Sequence, residues 1–276
     1  VFARVSPPDK VRIVAAYQRA GLPVAMTGDG ANDAAAIRLA DVGLALGERC
    51  TPAARDAADI VIADGRVETI VDAIIEGRAL WAAVRDAIAI LLGGNLGEVV
   101  FTAGTTVLTG RSPLNARQLL LVNLLTDIAP ALTIAVRQPT GRTPQQLAAE
   151  GPELSLGAPL RRKIALRAVT TASGAAAAWS IASTTGRPRR ASTTALVALV
   201  GTQLGQTIAS SWTDPLTVGV ALGSAALLCA TVQTPVVSSL FGCVPLGPVA
   251  WATAVGSASA ATAAGVMIPI ALRRLR

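Results

Sequence analysis

The sequence predicts a small α/β segment with a parallel sheet, followed by an all-α membrane domain of about six helices. Three observations lead there. Short apolar runs alternate with helix-periodic stretches as far as residue 63, the pattern of parallel β/α packing. Beyond Ala87 the chain becomes a series of long apolar runs divided by Pro, Gly and Arg. The composition, 52% hydrophobic and 15% charged with a mean hydropathy of +0.54, is that of a protein partly embedded in lipid.

In chain order, Lys10–Ala20 carries Val11, Val14 and Ala15 at helical spacing between Pro7-Pro8 and Gly21, and is read as a short helix. Pro23–Met26 reads as a buried strand, Asp33–Ala40 as a helix, and Val42–Leu46 and Asp59–Ala63 as further strands. Residues 1–66 form the α/β segment. From Val67 to Leu108 there is no proline, though Gly77, Gly93-Gly94 and Gly97 would loosen a helix. Its first part, 67–86, is charged and amphipathic and is expected to be a stalk. From Ala87 it is apolar enough to span a bilayer, which needs about 20 residues. The membrane domain, 87–276, continues with expected spans at Leu119–Val136 and at about Ile164–Thr184, Ser192–Ser211, Leu216–Val232 and Pro248–Leu272. The stretch Arg137–Lys163 is a polar loop. Gly, Ala, Ser and Thr are abundant enough in the spans for close helix packing.

Ten basic and thirteen acidic residues lie up to Glu98, fourteen and four beyond it, so the net charge of +7 belongs to the apolar part. Anionic lipid headgroups explain such basicity. Nucleic-acid binding is not expected, because no basic stripe is interleaved with aromatics. Cys50, Cys229 and Cys243 are scattered and histidine is absent, which argues against a disulfide framework or a zinc site. Trp81, Trp212 and Trp251 fall near expected interfaces and suit boundary anchors. With six spans, the N-terminal part and the C-terminal Arg273, Arg274 and Arg276 lie on the cytoplasmic side of the cell membrane. Arg161, Arg162 and Lys163 then lie inside too, while Arg187, Arg189 and Arg190 face outward against the positive-inside rule. A misplaced helix near Ser180 is the alternative. The chain opens on Val1 without a signal peptide, so an upstream part is expected.

Two constellations carry chemistry. Met26–Asp33, reading Met-Thr-Gly-Asp-Gly-Ala-Asn-Asp, follows an apolar run. Its glycines let backbone approach a ligand, and Asp29 and Asp33 could hold a hard cation such as Mg²⁺. The competing reading is a strand-to-helix turn capped by Asn32 or Asp33. In the second, Asn95 and Glu98 are three residues apart on one apolar helix. Asn123, Thr126 and Asp127 are three and four apart on the next, which puts each set on one helix face. An acid at mid-bilayer costs about 2.5–3.5 kcal/mol, so a compensating cation is expected, and oxygen-only donors suit Ca²⁺. A polar helix–helix lock is the competing reading. Gln203 and Gln206 on a later span read as packing residues.

Phe2-Ala-Arg-Val-Ser-Pro, Lys10, Thr27–Asp33, Asn95 with Glu98, and Asn123, Thr126 and Asp127 resemble, in order and spacing, the C-terminal part of cation-transporting P-type ATPases, most closely the calcium-pump branch. The resemblance is specific from Phe2 to about Pro139 and looser beyond. It implies that residues 1–66 are the C-terminal part of a HAD-like phosphorylation domain. It further implies that Asp29 ligands Mg²⁺ with support from Asp33, that Thr27, Gly28 and Asn32 lie near the phosphoryl group, and that Lys10 neutralises its oxygens. Without the resemblance, Lys10 reads as a solvated lysine at a helix start. Asn95, Glu98, Asn123, Thr126 and Asp127 would coordinate the transported cation, with ATP bound mainly by domains upstream. The family's phosphorylated aspartate lies in Asp-Lys-Thr-Gly, which does not occur here, so this chain alone is expected to be inactive. The alternatives are a non-catalytic membrane module and, less in keeping with acids inside the spans, a phosphatase headpiece on a membrane anchor.

Overall fold

The computed structural model describes residues 2–128, 133 and 157–274. It divides into two units, Val1–Gly77 and Arg78–Arg276.

The N-terminal unit is a three-stranded parallel sheet, β1 (Ala25–Gly28), β2 (Val42–Leu46) and β3 (Ile60–Ile62), in that spatial order. Ala25 pairs with Val42, and Leu44 with Ile60. The helices α1 (Pro7–Arg19), α2 (Ala34–Leu39) and α3 (Pro52–Ala57) close the core of Val14, Ile37, Leu44, Ala45, Ala54 and Ile62. The first helix begins three residues before Lys10, because Pro7 and Pro8 serve as its first turn, where a missing N–H costs nothing. A 3₁₀ turn, Ala31–Asp33, precedes α2. The sequence reading passed over α3, although Thr51-Pro52 is a start signal: the Thr51 hydroxyl accepts from Ala54 N at 3.4 Å. Gly43 lets α2 press on β2, since a Cβ there would lie 2.7 Å from the Ile37 carbonyl oxygen.

The second unit takes in most of α4 (Val67–Thr109), a single helix of 43 residues. After it come α5 (Ala116–Asn123), a π-helical turn (Leu124–Ile128), α6 (Ala158–Ser183), α7 (Pro188–Ser210), α8 (Pro215–Gln233), the short α9 (Pro235–Leu240) and α10 (Pro248–Arg274). Asn115 and Gln118 form a reciprocal cap on α5, at 2.9 and 3.0 Å, and Asp214 caps α8. Gly93, Gly94 and Gly97 do not loosen α4. They are where α6 and α7 press against it: Cβ atoms there would sit 2.8 Å from Arg167 Cβ, 3.1 Å from Gln203 Oε1 and 2.7 Å from Thr171 Cβ. Gly174 and Gly205 do the same where α6, α7 and α10 meet.

Among the described residues, three helices are long and apolar enough to cross a membrane: Glu68–Thr109, Pro215–Gln233 and Pro248–Ala271. The helices α6 and α7 cover the expected spans near Ile164–Thr184 and Ser192–Ser211. Their Arg, Ser, Thr and Gln side chains lower the apolarity that the span count relied on. The expected span Leu119–Val136, the loop from Arg137 and the terminal Arg276 lie wholly or partly outside the described residues. A helix does run through Ser180, since α6 continues to Ser183, but it is not among the three candidate spans, and Arg187–Arg190 sit at the start of α7.

Candidate functional site

In the N-terminal unit, the loop after β1 lies at the C-terminal ends of the strands, where parallel sheets place their ligands. Thr27, Gly28, Asp29 and Asp33 line a cleft of about 860 Å³. Asp29 is exposed, and its backbone is pinned by Thr51 at the start of α3, whose N–H donates to the Asp29 carbonyl at 2.9 Å. Asp33 is buried and takes a hydrogen-bonded ion pair from Lys10 Nζ at 2.5 Å. Lys10 is therefore not a free solvated lysine. Gly28 has no room for a side chain: a Cβ would lie 2.5 Å from Asp33 Cβ. Asn32 is exposed, and neither it nor Lys10 lines the cleft.

The opposite wall was missed by the sequence reading. It consists of Gly47 and Gly65, both left-handed at φ +88° and +63°, with Asp64 between strand and helix. Asp64 accepts from Thr69 Oγ1 at 2.7 Å and Arg66 N at 3.1 Å, and these bonds hold its carboxyl below the usual range. The signal was present, since glycines directly follow or nearly follow the ends of β2 and β3. Among the described residues no group of three or more His, Cys, Asp or Glu could hold a metal by itself. Mg²⁺ asks for less, one or two carboxylates completed by water and phosphate, and an exposed Asp29 in a glycine-walled cleft fits that requirement.

In the helical unit, Asn95 and Glu98 on α4 meet Thr126 and Asp127 on the π-helical turn. The Asn95 amide donates to the Asp127 carboxylate. The Thr126 hydroxyl donates to Val122 O at 3.0 Å and lies 3.2 Å from Asp127 Oδ1. Glu98 is 8% exposed and feels the charge of Asp127. Asn95 Oδ1 and Glu98 Oε2 are buried and have no hydrogen-bond partner among the described residues, and the same holds for the hydroxyls of Thr102 and Thr171. Asn123 is exposed, apart from this cluster. The π turn widens the helix between Asn123 and Thr126, which spacing rules for an α-helix do not anticipate. The Gln203 amide approaches the same stretch of α4, with Nε2 3.4 Å from Gly94 O.

The profile of the family described as "Cation transporting ATPase, C-terminus" matches residues 111–271. Across 98% of its length the chain is 52% identical to the "Probable cation-transporting ATPase I" of Mycobacterium leprae (strain TN), and 51% identical to the protein of that name in Mycobacterium tuberculosis (strain CDC 1551 / Oshkosh). About half of it, 51%, is 45% identical to the "Calcium-transporting ATPase" of Bacillus subtilis (strain 168). The chain covers 18% of the length of each mycobacterial relative and 16% of the Bacillus one. With the profile match spanning more than half of the sequence, the chain belongs to the cation-transporting P-type ATPases and carries their C-terminal region.

Proposed function

We propose that this chain supplies the membrane cation site, and one wall of the magnesium and phosphate site, of an ATP-driven cation pump. The observation that carries the reading is the pair of buried oxygens on Asn95 and Glu98 that the described residues leave unmet, beside Asp127 and Thr126. An unmet buried oxygen costs about 1–3 kcal/mol, and more when charged. A cation bound among these four side chains removes that cost. Asn123 joins the site when the turn after α5 rotates. Oxygen-only donors favour Ca²⁺, in keeping with the calcium-transporting relative, while a relative from Toxoplasma gondii named a sodium-transporting ATPase keeps monovalent ions in view.

At the other site, Asp29 binds Mg²⁺ and Asp33 holds Lys10 at the edge of the cleft, with Thr27, Gly28 and Asn32 toward the phosphoryl group. Bound Mg²⁺ neutralises phosphate oxygens. Thr51 fixes the loop that presents Asp29. Six spans in the cell membrane, with the N-terminal unit and C-terminus cytoplasmic, complete the proposal, and the long α4 serves as its stalk.

In the pump containing this chain, Glu98→Gln or Asp127→Asn abolishes cation-dependent phosphorylation from ATP and spares phosphorylation by inorganic phosphate. Normal cation-dependent phosphorylation in both variants would sink the site. The chain by itself, lacking Asp-Lys-Thr-Gly, shows no vanadate-sensitive ATP hydrolysis. The second reading is a non-catalytic membrane module. An in-frame Asp-Lys-Thr-Gly segment encoded upstream of Val1 decides for the pump, and a stop codon or unrelated gene there decides for the module.

A further inference from the structure

Among the described residues of the helical unit, two charged side chains are buried: Glu98 on α4 and Arg167 on α6, each 8% exposed. Glu98 belongs to the proposed ion site. The Arg167 guanidinium donates to Gln206 O at 3.5 Å and to Thr207 Oγ1 at 3.3 Å, both uncharged groups on α7. Its Nε has no partner among the described residues. Asp86, the acid that attracts it, is already held by Lys163 at 2.8 Å. A guanidinium does not shed its proton inside a protein, so one positive charge is fixed here beyond what Asp86 answers.

Helix packing places that charge relative to the ion site. Cβ atoms at Gly93 and Gly97 would meet Arg167 Cβ at 2.8 Å and Thr171 Cβ at 2.7 Å, so α6 runs parallel to α4. Gly174 meets Thr202 while Arg167 meets Thr207, so α7 runs antiparallel to both. Gln203 lies against Gly94, and Gln206, whose carbonyl takes the guanidinium, is one turn away toward the start of α4. Glu98 is one turn from Gly94 in the other direction, on the same face of α4. Arg167 and Glu98 are thus about two turns apart, roughly 10 Å, with the Gln203 amide between them.

We propose that Arg167 is a fixed internal cation that sets the charge selectivity of the membrane ion site, weakening divalent ions more than monovalent ones. The inference rests on the ion lying among Asn95, Glu98, Thr126 and Asp127. Repulsion scales with the charge of the ion. At ~10 Å and an effective dielectric of ~20, one fixed charge weakens binding roughly tenfold for each charge carried, about tenfold for Na⁺ and about a hundredfold for Ca²⁺. The oxygen donors still accept Ca²⁺, but two carboxylates set against one guanidinium leave a single negative charge for the ion to answer.

The test is equilibrium binding of Ca²⁺ and of Na⁺ to the purified pump containing this chain. Arg167→Gln tightens Ca²⁺ about a hundredfold and Na⁺ about tenfold, so the ratio of affinities moves about tenfold toward Ca²⁺. Loss of packing alone would weaken both ions and leave the ratio in place. Thr207→Val is the control: it removes one hydrogen bond from the guanidinium and keeps the charge, so the ratio stays within about twofold. If Arg167→Gln does not fold, Arg167→Met gives the same reading, since it fills a similar length and has no donor to satisfy. A ratio unchanged on neutralising Arg167, or shifted as far by Thr207→Val, overturns the proposal. Glu98→Gln separates that failure from failure of the site. If it leaves both ions bound as in the wild type, the ion lies elsewhere and the site itself falls. If it removes binding while Arg167→Gln leaves the ratio unmoved, the role of Arg167 alone falls.

Discussion

The two carboxylate sites of this chain answer their charges in opposite ways. In the N-terminal unit, buried Asp33 is met by Lys10 at 2.5 Å, and Asp29 stands in solvent, where an unmet charge costs little. In the helical unit, Glu98 and Asn95 keep buried oxygens that no group among the described residues meets. The first site is complete before any ligand arrives and can wait open. The second carries the cost of buried oxygens without a partner among the described residues, which fits the proposed role of taking up an ion from water and giving it back.

The largest effects separate the sites by function. In the assembled pump, Asp29→Asn lowers phosphoenzyme formation from both ATP and inorganic phosphate by orders of magnitude while cation binding to the resting protein stays within about twofold. Glu98→Gln instead removes cation binding and with it phosphorylation from ATP, and spares phosphorylation by inorganic phosphate. If Asp29→Asn removes cation binding instead, the division of labour between the two regions fails. Phosphorylation assays in both directions, beside equilibrium cation binding, read the difference.

Next in size is packing. Gly97→Leu drives a side chain into Thr171 and the Ala168 carbonyl and destabilises the helical unit by about 1–3 kcal/mol or more, lowering its thermal midpoint in detergent. Gly77→Ala is the control in the same helix: nothing lies within 4 Å of its Cβ position, and helix propensity rises by up to about 1 kcal/mol. Lys10→Met tests the completed site. It strips the partner from Asp33, and because Lys10 is 30% exposed the cost is about 1–3 kcal/mol rather than that of a fully buried pair. Faster amide exchange in α1 and β1 shows it, and unchanged exchange would mean that solvent already satisfies Asp33.

The smallest effect is a pH dependence. The Asp41 carboxylate accepts from Val24 N at 2.9 Å and from Gln18 Nε2 at 3.3 Å, and these bonds hold its pKa below the ordinary 3.8. A carboxyl depressed in the folded state stabilises above its unfolded value and loses that contribution as pH falls through the folded one. Protection of the β1 edge therefore fades below about pH 4 in the wild type, and Asp41→Asn removes the dependence without abolishing the sheet.

Much of this was legible in the residues. The strand Val42–Leu46 falls where its short apolar run puts it, and Thr27–Asp33 sits at a strand end, where parallel sheets with short connections place such loops. The long helix from Val67 is written in the absence of proline. What escaped depends on partners distant in sequence. Gly93, Gly94 and Gly97 look like helix weakeners until α6 and α7 are packed on them. The turn at Leu124–Ile128 is π-helical, so the face shared by Asn123 and Thr126 under a 3.6-residue period is not shared in the fold. No local rule distinguishes Lys10 as a surface lysine from Lys10 as the partner of a carboxylate 23 residues away.

The glycine stripe on α4 has a further consequence for how such a site can change over generations. Every single-base change that replaces glycine with another residue brings a larger side chain. At Gly93 and Gly97 the nearest atom to a Cβ, other than those of α4 itself, is a Cβ on α6, and at Gly94 it is the amide of Gln203 on α7. If the proposed ion site holds, inheritable variation in it is thereby steered away from these positions and onto the polar side chains beside them, Asn95, Glu98 and Thr102.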